Sequence, residues 1–78
     1  MSDSQPIVDV AASTVSVAGQ TFVMRPLSED AYTVLIEGVP VGRIVYTFGT
    51  ANGVVESDKV TEENLTAIAE AWFAALDA

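Results

Sequence analysis

The sequence predicts an α+β fold, a two-layer sandwich in which an antiparallel meander sheet of four or five strands (β-β-β-β-β-α) carries one C-terminal helix packed on one face. Two observations predict it. Residues 7 to about 58 are a series of β-prone runs broken by turn residues, with Gly19, Gly38 and Gly53 as the main punctuation. From residue 61 onward, apolar side chains recur at spacings of three and four, the period of a helix with one buried stripe. A single helix covers only one side of a sheet, so the other side must face water or a partner.

At 78 residues the chain makes one small domain, residues 7–78, and residues 1–6 read as a polar, disordered tail ending at Pro6. "PIVDVAA" is β-prone but short, a candidate edge strand. "STVSVAGQTFVMRP" reads as a hairpin closed by a type II′ turn at Gly19-Gln20. That turn sets Val15 opposite Met24 and Val17 opposite Phe22 on one face. Thr14, Ser16, Val23 and Arg25 fall on the other. Pro26 is expected to end the strand, with "LSED" as the connection.

"AYTVLIEGVPVGRIVYTFG" is the second hairpin, and Arg43 decides its register. A two-residue turn at Glu37-Gly38 would place Arg43 beside Tyr32 among apolar side chains. A three-residue loop with Gly38 in the left-handed region shifts the pairing by one. Tyr32, Val34, Ile36, Ile44, Tyr46 and Phe48 then line the core face, with Tyr32 near the bare backbone of Gly42. Thr33, Leu35, Val41, Arg43, Val45 and Thr47 line the other. This register segregates polarity better and is the expected one. Asn52-Gly53 signals a type I′ turn, after which a short strand, about Val54 to Asp58, folds back.

"VTEENLTAIAEAWFAALDA" gives the helix. Thr61 is its N-cap, Val60 and Leu65 form a hydrophobic staple, and Glu62 and Glu63 suit the positive end of the helix dipole. Leu65, Ile68, Ala69, Trp72, Phe73 and Leu76 form the buried stripe.

Composition excludes more functions than it suggests. No histidine and no cysteine are present, which removes the usual general base, the strongest neutral-pH nucleophile and any disulfide or thiolate metal site. No phosphate-binding glycine loop occurs. The expectation is a non-enzyme with no cofactor and no metal. Glu56, Asp58, Glu62 and Glu63 gather at the junction of strand and helix as an acidic surface whose spacing matches no calcium loop. Eleven acids against three bases give a net charge of −8, which disfavours direct nucleic-acid and anionic-membrane binding and favours a basic protein surface. The start "MSDSQPIVDV" lacks the layout of a secretion signal, and no apolar run is long enough to span a bilayer, so a cytoplasmic location is expected.

Half the residues are apolar, high for so small a monomer, and the uncovered sheet face is where the surplus collects. Val23, Leu35, Val41 and Val45 sit there with Thr47, and Arg25 and Arg43 are its charges. Arginine among aliphatic side chains is the composition of protein interfaces. These residues form the expected partner surface of a protein-binding module, an adaptor or inhibitor that self-associates, most simply as a homodimer. In size and charge the chain is similar to phage-borne inhibitors of host defence nucleases, the anti-CRISPR and anti-restriction proteins. That resemblance implies an alternative in which acidic side chains mimic a nucleic acid. A structural subunit of a phage or other assembly is a third reading.

Overall fold

The computed structural model describes residues 6–17 and 19–77. The tail expected at residues 1–6 lies, Pro6 apart, outside the described residues. Six strands and one helix follow in chain order: β1 Ile7–Asp9, β2 Thr14–Val17, β3 Gln20–Ser28, β4 Ala31–Ile36, β5 Val39–Thr47, β6 Thr50–Val55 and α1 Glu62–Asp77. The sheet is an antiparallel meander in which each strand pairs with its neighbours in sequence, β1-β2-β3-β4-β5-β6, and α1 packs on one face. The α+β sandwich is thus as expected, with six strands rather than four or five. Among the described residues no helix is long and apolar enough to cross a membrane.

The first hairpin keeps the expected faces, but its turn differs. Val17 pairs with Gln20 and Val15 with Phe22, so Gln20 belongs to β3 and not to the turn. The register moves by two, which leaves Val15, Val17, Phe22 and Met24 on the core face. β3 does not stop at Pro26. Met24 N–H donates to Ser13 C=O at 2.8 Å, so alternation aims the Pro26 nitrogen to that same side, where β2 has already ended. The missing donor costs no ladder bond there.

In the next hairpin both candidate registers occur in succession. Glu37 and Gly38, with φ of 51° and 84°, make a two-residue turn, and Ile36 pairs with Val39. A bulge then inserts Val41 between the pairs Leu35–Pro40 and Val34–Gly42. Beyond it Thr33 faces Arg43 and Tyr32 faces Ile44, so Tyr32 does not meet Gly42. The arginine points away from the core, as expected.

The last turn is Phe48-Gly49, not Asn52-Gly53. Phe48 and Gly49 take φ of 52° and 76°, Thr47 pairs with Thr50, and Asn52 and Gly53 lie inside β6 opposite Val45 and Ile44. The final strand is therefore Thr50–Val55, and Phe48 is fully exposed instead of lining the core.

Gly53 serves the helix instead of a turn. A Cβ there would stand 2.6 Å from the Cβ of Leu65, and one at Gly42 would strike the Leu65 side chain and the Val54 carbonyl oxygen. The two bare positions let α1 settle directly on β5 and β6. Leu65, Ile68, Ala69 and Trp72 are buried against Val15, Phe22, Met24, Val34, Val41 and Ile44. Tyr32 meets Trp72 edge to face at 5.3 Å, and Tyr46 lies 5.2 Å from Phe73.

Thr61 caps the helix, its Oγ1 accepting from Asn64 N–H at 3.1 Å, while Val60 and Leu65 are both buried as a staple. Thr61→Ala is expected to lower stability by about 1 kcal/mol. Thermal unfolding followed by circular dichroism checks it. A Thr61→Ser variant, which keeps the acceptor, should stay near the parent.

Candidate protein-binding face

The face opposite α1 is built by strand register. Side chains that pair across an antiparallel ladder share a side, so the pairings read directly as rows. One row runs Asp9, Thr14, Val23, Leu35 and Pro40. The next runs Arg25, Thr33, Arg43 and Val54. A third runs Ser28, Ala31, Val45 and Asn52, and Ile7, Ser16 and Thr21 make a fourth. No other described element of the chain packs over these rows. Val23 is 39% exposed, Val54 42% and Ile7 71%, while Val45 is half-buried by its neighbours.

Of the expected interface residues, Val23, Arg25, Arg43, Val45 and Thr47 stand on this face with side chains open to solvent or partly so. Leu35 also points to it but is only 5% exposed, so it contributes a floor more than a contact. Val41 does not belong there. The bulge turns it to the helix side, where it is fully buried in the core. Val54, Ile7 and Pro40 belong to the face and were missed. Val54 enters once the turn is placed at Phe48-Gly49, because its partner is then Arg43.

The charges are separable. Arg43 Nε lies 2.9 Å from Glu56 Oε2 with both side chains about two-fifths exposed, a pair worth about 0–1 kcal/mol at such a site. Arg25, on the same row, has no ion pair among the described residues. The expected acidic surface is divided accordingly. Glu56 is committed to Arg43 on the sheet, whereas Glu62 and Glu63 occupy the first turn of α1 and Asp58 lies exposed in the connection. Among the described residues no three acidic side chains converge as a metal site.

The exposed helix carboxylates are the adjacent pair Glu62 and Glu63, then Glu70 and Asp77 at further steps of roughly 10–12 Å along the axis at 1.5 Å per residue, against a regular 3.4 Å of axis per phosphate on a DNA strand. The hollows flank the helix, among them one of about 430 Å³ between Val17, Phe22, Ile36, Val60, Ala67 and Ile68. The outer face mixes the exposed valines with threonine, serine and asparagine side chains, and carries the two guanidinium groups of Arg25 and Arg43. It offers contact area and orientation. No protein-family model, curated protein or solved structure matches the chain.

Proposed function

We propose that this protein is a non-catalytic, cytoplasmic protein-binding module, an adaptor or inhibitor, that self-associates through the outer face of its sheet. The observation that carries the reading is the row Arg25–Thr33–Arg43–Val54, flanked by Val23 and Val45 and covered by no described part of the chain. Val23, Val45 and Val54 supply apolar area to desolvate. Arg25, which makes no ion pair among the described residues, supplies a charge that a partner carboxylate would complete. In a chain of net charge −8, the same face on a second copy supplies such a carboxylate at Asp9.

Light scattering at several salt concentrations tests this. A discrete dimer insensitive to salt supports it. Salt-sensitive capture of a basic nuclease would replace it with the nucleic-acid-mimic reading, and open-ended oligomers with the structural-subunit reading. Val45→Glu and Val54→Glu are each expected to convert the dimer to a monomer while leaving the helical signal in circular dichroism unchanged. Variants that remain dimeric would move the interface off this face.

A further inference from the structure

The sheet ends on two strands that are very unlike. β1 is three residues long, follows Pro6 and contains Asp9, and short, charged edges beside a proline resist pairing with other chains. β6 runs six residues, Thr-Ala-Asn-Gly-Val-Val, without charge or proline, and pairs with β5 in unbroken register. It lacks the charge, proline and bulge that blunt many edges, while α1 rests on its face. Glu56 N–H donates to Val41 C=O at 3.0 Å, so the alternation of the ladder turns the backbone groups of Ala51, Gly53 and Val55 outward. Among the described residues no strand pairs with them from that side.

The flank of α1 beside this edge is acidic and aromatic. A hollow of about 290 Å³ lies between Thr50 and Ala51 on the strand and Glu70, Phe73 and Asp77 on the helix, with Tyr46 beneath. An adjoining hollow shares Tyr46, Phe73 and Asp77 and adds Glu29 and Asp30. The carboxylates are strung out and do not converge on a metal. Aromatic faces beside spaced carboxylates suit the long stems and charged ends of lysine and arginine.

We propose that the free edge of β6 takes up an extended segment of a basic partner protein as a seventh strand. Backbone hydrogen bonds to Ala51, Gly53 and Val55 hold the segment. Every second side chain then points to the helix side, where lysine or arginine meets Glu70 and Asp77. A second copy of this chain is the poorer occupant, because antiparallel pairing of two β6 strands sets two acidic helix flanks side by side.

The probe is a synthetic, end-blocked peptide Lys-Thr-Lys-Val-Lys-Thr-Lys-Val, compared with the same peptide N-methylated at alternate amides, which keeps its charge but removes its donors. Binding by fluorescence anisotropy is expected, with slowed hydrogen exchange at the amides of Ala51, Gly53 and Val55. N-methylation should weaken binding at least tenfold, and Glu70→Gln with Asp77→Asn should weaken it several-fold at low salt. Val55→Pro, which removes an outward donor without breaking a ladder bond, should abolish it. The outer-face variant Val45→Glu should bind the peptide like the parent, so failure here is distinguishable from failure of the outer-face dimer. Equal binding of the N-methylated peptide, protection confined to other amides, or no binding at all would each overturn the proposal.

Discussion

Trp72→Ala is expected to cost about 3–5 kcal/mol, the range for deleting a large aromatic from a packed core. Trp72 is 2% exposed, meets Tyr32 edge to face and is the largest side chain fully enclosed between α1 and the sheet. A domain of 78 residues has only about 4–12 kcal/mol of stability at typical values per residue. The variant should therefore lose about 15–30 °C in Tm, or show no cooperative transition, by thermal circular dichroism. Trp72→Phe separates volume from polarity. The indole Nε1 is buried with no hydrogen-bond partner, so its removal relieves a polar penalty while the smaller ring keeps most of the packing. Phenylalanine should cost less than half of what alanine does. Equal losses would show that the indole fills the core in a way no smaller ring reproduces.

Gly53→Ala is expected to destabilise by about 1–3 kcal/mol although it adds one methyl group. The new Cβ would lie 2.6 Å from the Cβ of Leu65, 3.1 Å from its carbonyl carbon and 3.2 Å from the nitrogen of Thr66. Two of these three are helix backbone, so a rotamer change cannot clear them and α1 itself must lift. The origin of the loss is open to a second test. Leu65→Ala retains the Cβ and the backbone, so combining it with Gly53→Ala should not restore stability. Denaturant unfolding of both single variants and the double variant measures the coupling. A Gly53→Ala protein with the parent's midpoint would mean that the helix does not sit so close to β6.

Why the sequence misplaces the last turn follows from the same contact. Asn52-Gly53 and Phe48-Gly49 both end in glycine, and local preference favours Asn-Gly for a type I′ turn. What decides is tertiary: Leu65 needs a bare backbone beneath it, and no dipeptide statistic carries that demand. The Arg43 register succeeds for a related reason. Its charge must leave the core whatever the turn, and the chain meets that demand with a bulge at Val41 in place of a three-residue loop. Side-chain polarity therefore predicts the face of Arg43 correctly while the facing of Val41, the extra residue, is lost. The helix is legible in full at Thr61, Leu65, Ile68, Ala69 and Trp72, because cap chemistry and periodicity are both local. On the outer face, Val23, Arg25, Arg43 and Val45 are recoverable from alternation alone. Val54 is not, since it depends on a strand boundary four residues away from its apparent place.

The strand order carries a consequence for biosynthesis. Every pairing in the sheet joins consecutive strands, so each forms over a short loop at small entropic cost as the chain emerges from the ribosome. The segment that shields Phe22, Met24 and Ile44, however, is translated after all six strands. For that interval the nascent chain displays an apolar surface with nothing laid over it, and the speed at which the helix is translated sets how long chaperones must stand guard.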